Sequence, residues 1–215
     1  EFKHNEYRMK NIYGDYIWVL IRTATLHDKD GNPLKVVGVI LDIDRAKKSE
    51  QQLTARASFD SLTELYNRET IESQIDNEIT LSEARKSEMA VLFVDVDDFK
   101  HYNDQYSHAT GDQVLKFVAR TIKNVVGEFG FAGRYGGDEF IACVRNAEIN
   151  DPTRVAQNII SRLDEGFDCD GIHLSVSVSI GISMIKDDYN TRVEYIIGKA
   201  DDAMYSVKKN GKSNY

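Results

Sequence analysis

The sequence predicts an α/β (α+β) fold in which helices flank a mostly antiparallel sheet. From residue 60 onward, apolar runs of strand length alternate with segments that carry apolar residues at helical spacing. Two of the strand-like runs are separated only by a short glycine turn, which is typical of an antiparallel hairpin. With 41% hydrophobic and 29% charged residues, the composition is that of a globular protein. Strands and helices mixed in this way predict helices packed on a sheet.

The predicted elements of this body follow one another closely along the chain. They are a helix over 68–85, a strand over 89–96, a helix over 112–126, hairpin strands over 129–135 and 140–144, a helix over 152–165, a strand over 174–182 and a helix over 191–209. Because the first strand is apolar at nearly every position, we expect it to lie buried in the middle of the sheet.

Residues 1–44 predict a separate β segment. Residues 16–21 and 36–41 are rich in β-branched and aromatic side chains, and residues 28–33 between them have turn composition. The segment resembles the C-terminal half of a PAS sensor domain at residues 7–10, 14–19, 30–33 and 37–44, with Asp44 where such domains often have Thr. A generic β-hairpin extension is the alternative. Either way, so few strands need a neighbour to complete a core.

Residues 45–58 predict a connector helix, since they contain neither Gly nor Pro and many good helix formers. Ala46, Leu53 and Ala57 fall at spacings that a parallel coiled coil uses. A solvated helix that only links two parts explains the segment equally well. The main domain then covers residues 59–215.

Charge and apolar patterning limit the partners. A net charge of −8 argues against nucleic acid and anionic lipid, which would repel the chain. No run is long and apolar enough to span a bilayer, and the start does not resemble a signal peptide. Because the chain does not begin with Met, we expect a piece of a longer cytoplasmic protein whose upstream part carries a sensor or anchor. Cys143 and Cys169 are expected to be buried free thiols.

Three acids, Asp95, Asp97 and Asp98, lie at the carboxyl end of the first long apolar strand. Asp98 is expected to cap the short helix after it. Asp95 still belongs to the strand, where burial of a carboxylate costs several kcal/mol unless a cation compensates it. Mg²⁺ is a suitable cation because it binds carboxylate and carbonyl oxygens. Asp97 has no role assigned from the sequence.

A second acidic site lies on the glycine turn of residues 136–140. Two glycines permit a tight bend or a close approach to a ligand, and Asp138 and Glu139 supply two acids beyond what a hairpin requires. If this turn lies beside Asp95, the acids converge on one metal site, as phosphoryl-transfer enzymes arrange them.

The turn resembles the signature of GGDEF domains, a family of diguanylate cyclases. Four blocks agree in order, namely residues 60–68, residues 95–104 continuing to 108–112, residues 134–140, and residues 200–205 with Lys208, Gly211 and Lys212. The resemblance covers residues 60–215 and implies the palm-like sheet of nucleotide cyclases and some polymerases.

The resemblance also implies roles for individual residues. Asp95, the Val96 carbonyl and Asp138 match the ligands of two Mg²⁺ (or Mn²⁺) ions, and Asp138 also matches the acceptor of the 3′-hydroxyl proton, with Glu139 beside it in the catalytic set. The positions that match substrate contacts are Lys100 (phosphate), Asn103, His108 and Asp112 (nucleoside), and Lys208 and Lys212 (terminal phosphates).

Two of these assignments have independent chemical support. A carboxylate at Asp112 can accept from guanine N1–H and the exocyclic amine, whereas adenine would leave it unpaired. The alternative is a helix N-terminal charge, and both roles are compatible. Lys208 and Lys212 share one face if their helix continues to residue 212, and a solvated C-terminal turn is the alternative.

The implied reaction joins two GTP molecules into cyclic di-GMP with release of two pyrophosphates. Each domain would hold half of the reactants, so the resemblance implies a homodimer, with the connector setting the separation of its domains under control of the PAS-like part. Departures from the family pattern are Glu64 and Ser107, where Gly is common, and Lys212 for Arg. Residues 127–130 lack the Arg-x-x-Asp pattern, so we expect no inhibitory cyclic di-GMP site.

Three other functions compete with this interpretation. A catalytically weak module that binds GTP for regulation would need no product formation. A cyclase that accepts ATP would make an adenine-containing dinucleotide, which Asp112 argues against. A purely structural domain would leave Asp95 and Asp138 uncompensated.

Overall fold

The structure is a computed structural model that describes residues 2–48, 58–186, 191–211 and 213–215. Contacts divide the chain into two compact units, residues 1–57 and residues 58–215. No helix within the described ranges has the length and apolar character needed to cross a membrane.

The first unit is a three-stranded antiparallel sheet. Strands β1 (Phe2–Lys10), β2 (Tyr16–His27) and β3 (Pro33–Asp42) lie in that order. The predicted hairpin is confirmed: β2 pairs with β3, and the Asp28 carboxylate closes the turn by accepting from the backbone N–H groups of Asp30 and Asn32. Residues 44–48 are helical, and residues 49–57 of the predicted connector lie outside the described residues.

The second unit alternates helices and strands as predicted. Its helices are α1 (Arg68–Arg85), α2 (Phe99–Gln105), α3 (His108–Val126), α4 (Pro152–Asp164) and α5 (Val193–Lys209), with a short 3₁₀ turn over Gly127–Phe129. Its strands are β4 (Met89–Val96), β5 (Gly130–Gly136), β6 (Glu139–Arg145), β7 (Phe167–Cys169), β8 (Ile172–Leu174) and β9 (Val178–Ile185).

A four-stranded antiparallel sheet in the order β5-β6-β4-β9 forms the centre of this unit. Every residue of β4 is buried, because successive side chains point to opposite faces and both faces are covered. Leu92 and Val94 pack in the core that contains residues of α3 and α4, whereas Val91 and Phe93 pack in the core that contains residues of α1 and α5. The prediction of a buried central strand is confirmed.

Two predicted boundaries are wrong for identifiable reasons. Helix α3 begins at His108 rather than at residue 112, because the Ser107 hydroxyl accepts from the Thr110 N–H and caps the helix. The predicted strand over 174–182 is broken at residues 175–177, where Ser177 bonds to Asp97 instead of to a neighbouring strand. The part before the break, β8, pairs with β7, which was not predicted.

Candidate active site at the strand ends

Asp95 lies at the end of the central strand and is 7% exposed. It pairs with Glu139 on β6 and with Ser179 on β9. Glu139 is the first residue after the glycine turn, so an acid next to that turn lies directly beside Asp95. The apolar sequence of β4 fixes this position, since both faces of the strand are buried up to this point.

Asp138 reaches the same place through the turn between β5 and β6. Gly137 has φ +41°, a backbone conformation that favours glycine. The Val96 N–H donates to the Asp138 carbonyl over 3.2 Å, so the turn is bonded to the end of β4. The structure thus brings Asp95, Val96, Asp138 and Glu139 together.

The electrostatics of this cluster are those of a site that needs a cation. Burial, and then the neighbouring Asp138 and Asp97 carboxylates, raise the pKa of Asp95 against the lowering effect of Lys208. Burial also raises the pKa of Glu139, followed by the charges of Asp95, Asp138 and Asp201. Both shifts mean that the charged forms are disfavoured as the site stands.

Lys208, near the end of α5, is the cation closest to Asp95 in the described part of the chain. Its Nζ lies 2.5 Å from Asp95 Oδ1. The two groups form a largely buried ion pair, in which Lys208 lowers the pKa of Asp95 against the larger effect of burial. A metal ion bound by Asp95 would share this carboxylate with Lys208 or displace its ammonium.

The expectation that Lys208 and Lys212 share a helix face has no support. Helix α5 ends at Lys209, and Gly211 has φ +124°, which is not helical. Lys212 itself lies outside the described residues.

The residues that the sequence predicts to contact the nucleoside lie on helix α2 and at the start of α3. Asn103 packs against Gly111: a Cβ at Gly111 would lie 2.2 Å from Asn103 Oδ1, so glycine is required for this approach. Asp112 is the next residue, and Asp112, His108 and Lys100 are exposed on these helices. Within the described ranges, no hydrogen bond or ion pair joins these side chains to the acidic cluster.

The expected capping role of Asp98 is wrong, and the alternative role of Asp112 as a helix N-terminal charge is not supported. Asp98 occupies the N-cap position of α2, but with φ +51° its side chain accepts no capping hydrogen bond. Asp112 is not in the first turn of α3, since the helix begins four residues earlier at His108. Its carboxylate is therefore not explained by the helix terminus.

The residues at the strand ends fit a divalent cation. Asp95 and Asp138 supply two carboxylates and Val96 a main-chain carbonyl, all of which are oxygen ligands that Mg²⁺ accepts. Within the described ranges, no group of three or more His, Cys, Asp or Glu side chains is arranged to hold a metal ion. Mg²⁺ commonly binds through one or two carboxylates and keeps positions for water and phosphate.

One functional contact had no role assigned from the sequence. The Arg134 guanidinium donates to the Gly137 carbonyl over 2.7 and 3.0 Å and pairs with Asp60 over 3.2 Å. Burial would raise the pKa of Asp60, but hydrogen bonds from Thr63 and the charge of Arg134 lower it overall. Asp60 and Arg134 therefore hold the glycine turn. Both residues lie in motif blocks that match the family, but the sequence does not indicate that they contact each other.

Comparisons with known proteins agree with this geometry. A family model described as "Diguanylate cyclase, GGDEF domain" matches residues 57–214. The signaling protein YkoW of Bacillus subtilis is 35% identical over 176 residues, which are 81% of this chain and 22% of YkoW. A diguanylate cyclase of Vibrio cholerae is 29% identical over 198 residues, 92% of this chain and 61% of that protein. The chain therefore spans less than two thirds of these relatives.

Solved structures share the fold. The coiled coil and GGDEF domain of DgcB from Caulobacter crescentus, solved in complex with c-di-GMP, matches with a TM-score of 0.74 and 26% identity over 80% of this chain and 91% of that one. The match includes the antiparallel sheet and its flanking helices, so the predicted fold class is confirmed. Since the family model covers well over half of the chain, the chain belongs to the GGDEF-domain family of diguanylate cyclases.

Proposed function

We propose that this domain condenses two GTP molecules into cyclic di-GMP and two pyrophosphates. The observation that carries the proposal is the meeting of Asp95 and the Asp138–Glu139 turn at the buried end of β4. A structural domain would gain nothing from carboxylates in this position, because burial disfavours the charged forms of Asp95 and Glu139.

Asp95, the Val96 carbonyl and Asp138 would hold the divalent cations, Mg²⁺ or Mn²⁺, with two per site. Such cations supply charge stabilisation to a phosphoryl group under attack. Asp138 would accept the proton of the 3′-hydroxyl that attacks the α-phosphorus of the second GTP, with Glu139 beside it. Lys208, already at Asp95, would move its ammonium to the terminal phosphates once cations neutralise the carboxylates, together with Lys212.

Selection of guanine would depend on α2 and α3. Asp112 is exposed and free of a capping role, so its carboxylate can accept from guanine N1–H and the exocyclic amine. Asn103 is held beside it by the Gly111 contact and His108 lies one turn away, both as nucleoside contacts. Lys100 on α2 would contact the phosphates. ATP would leave the Asp112 carboxylate unpaired and is expected to compete poorly.

Catalysis would require a homodimer, since one domain supplies one GTP and the attack needs two. The first unit, proposed as the C-terminal part of a PAS sensor, would regulate the separation of two such domains through the connector of residues 45–58. We also expect no inhibitory cyclic di-GMP site at residues 127–130. In support, a Cβ at Gly130 would lie 2.1 Å from the Cys143 carbonyl, so the backbone there rejects an Asp side chain.

Incubation of the protein with GTP and Mg²⁺, followed by chromatography of the products, tests the proposal. Cyclic di-GMP and pyrophosphate are expected, at an unchanged rate when ATP is added in equal amount. Bound GTP without product would favour the catalytically weak, GTP-binding regulatory module. An adenine-containing dinucleotide would contradict the assignment of Asp112.

A further inference from the structure

Asp97 is a buried carboxylate, 4% exposed, for which the proposed reaction has no use. It lies just beyond the end of β4, and its hydrogen bonds indicate a structural role and not metal binding. Oδ1 accepts from the Ser179 hydroxyl over 2.8 Å, and Oδ2 accepts from the Ser177 hydroxyl over 2.5 Å and from the Ser213 N–H over 3.3 Å. Both oxygens therefore accept hydrogen bonds from serine residues, whereas Asp95 Oδ1 faces the Lys208 ammonium.

The Ser213 contact belongs to a short C-terminal tail, residues 213–215, that is held at three points. Besides the bond to Asp97, the Ile180 N–H donates to the Asn214 carbonyl over 2.9 Å. The Gln157 side chain donates to the Tyr215 hydroxyl over 2.7 Å. Because β9 is the outermost strand of the sheet, the bond to Ile180 places the tail along its open edge.

The tail follows directly on the helix that carries Lys208. Helix α5 is already fixed at its middle, where Gly181 of β9 touches it so closely that a Cβ would lie 1.9 Å from the Ala200 carbonyl. Only residues 210–212 separate the end of α5 at Lys209 from Ser213. An anchored tail therefore limits how far the end of α5, and with it Lys208, can move from Asp95.

We propose that Asp97 is a positioning residue whose carboxylate anchors the C-terminal tail across the ends of β4 and β9, and that the tail keeps Lys208 over the strand-end acids. The kinetic consequence of this inference rests on the proposed function, since Lys208 would contact the terminal phosphates of GTP. The anchoring of the tail by Asp97 is independent of that function.

Amide exchange measured residue by residue by NMR tests the anchoring without turnover. In Asp97→Asn, the Ser213 and Ile180 amides are expected to exchange at least about tenfold faster, while the amides in the middle of β4 keep their protection. Asp104→Asn, which removes a carboxylate from the exposed surface of α2, is the matched control and is expected to change neither amide. Unchanged exchange at Ser213 and Ile180 in Asp97→Asn would overturn the proposal.

Kinetics of a double-mutant cycle test the consequence. Asp97→Asn and deletion of residues 213–215 are each expected to raise KM for GTP by about tenfold and to change kcat by less than about threefold. The double variant is expected to be no worse than the deletion alone, because Asp97 acts through the tail that the deletion removes. The deletion leaves the buried carboxylate in place, so it carries the test even if Asp97→Asn folds poorly.

A metal-binding role for Asp97 gives a different result. The effects would then multiply in the double variant, and Asp97→Asn alone would raise the Mg²⁺ concentration needed for half-maximal rate. Either outcome overturns the positioning role, as does an unchanged KM in the deletion variant. If the wild type makes no cyclic di-GMP, the proposed function fails, and the exchange experiment still decides whether Asp97 anchors the tail.

Discussion

At the scale of single residues, Glu64 has a left-handed backbone conformation that favours glycine. It has φ +58° in the turn after Asp60, a conformation that costs a residue with a Cβ roughly 1–2 kcal/mol relative to glycine. The sequence marked Glu64 only as a departure from the glycine common in the family, and the backbone now gives the reason for that glycine.

We expect Glu64→Gly to raise the free energy of unfolding by up to about 1 kcal/mol, because relief of the backbone conformation exceeds the added freedom of the unfolded chain. Denaturant unfolding of the isolated variant measures this. Glu83→Gly in helix α1 is the control and is expected to lose about 1 kcal/mol. Destabilisation by both substitutions would show that φ at residue 64 carries no strain.

The acids at the strand ends predict how metal binding depends on pH. The pKa values of Asp95 and Glu139 are raised in the folded protein, chiefly by burial. Without a cation, their contribution to stability is thus full below the unfolded pKa and is lost as the pH rises through the raised folded value. A divalent cation favours the charged forms and opposes that loss.

Mg²⁺ is therefore expected to raise the melting temperature near neutral pH and to have little effect at about pH 4, the ordinary pKa of a carboxyl group. Thermal unfolding at both pH values, with and without Mg²⁺, measures the difference. Asp138→Asn is expected to reduce the shift near neutral pH. A shift of equal size at both pH values would mean that other groups bind the ion.

At the scale of elements, the packing of α5 on β9 depends on one glycine. The Cβ of Gly181→Ala would lie 1.9 Å from the Ala200 carbonyl and 2.2 Å from the Met204 nitrogen, both of them backbone atoms that cannot rotate away. We expect a loss of about 2–3 kcal/mol in unfolding free energy, because the helix has to move off the sheet.

Gly198→Ala is the matched control for that loss. Gly198 lies on α5 itself, and among the described residues nothing stands within 4 Å of an added Cβ. The same substitution is expected there to gain up to about 1 kcal/mol from helix propensity. Equal effects in denaturant unfolding would contradict the direct contact between α5 and β9.

Most elements could be predicted because their periodicity is strong, and the exceptions have local causes. The continuous apolar run of β4 and the apolar face of α3 identify both elements. The start of α3 was missed because it depends on Ser107, whose side chain caps the helix. From the sequence, Ser107 was noted only as a departure from the family pattern. The break before β9 was missed because Ser177 bonds to Asp97, and no local pattern reveals a partner 80 residues away.

In the candidate site, too, some residues could be predicted from the sequence and others could not. Asp95 was identifiable because a carboxylate within an apolar strand is costly. Asp97, two residues later, is buried as well, but its hydrogen bonds come from Ser177, Ser179 and Ser213, which only the folded chain brings together. The contact of Arg134 with Asp60 is likewise a property of the tertiary structure.

At the scale of the whole molecule, the proposed reaction requires two copies of the chain. The rate of cyclic di-GMP formation per chain is therefore expected to rise with protein concentration until the dimer is saturated. Addition of excess Asp138→Ala protein to the wild type is expected to lower the rate, because mixed dimers hold one defective site. A rate per chain that is independent of concentration and of the added variant would contradict the two-fold assembly.

The central claim is that Asp95 and Asp138 share divalent cations over GTP. Titration of Mn²⁺ followed by electron paramagnetic resonance, in the presence of a non-hydrolysable GTP analogue, tests it most directly. The wild type is expected to bind two ions per chain, and Asp95→Asn and Asp138→Asn are each expected to weaken that binding by about tenfold or more. Wild-type affinity and stoichiometry in both variants would contradict the claim.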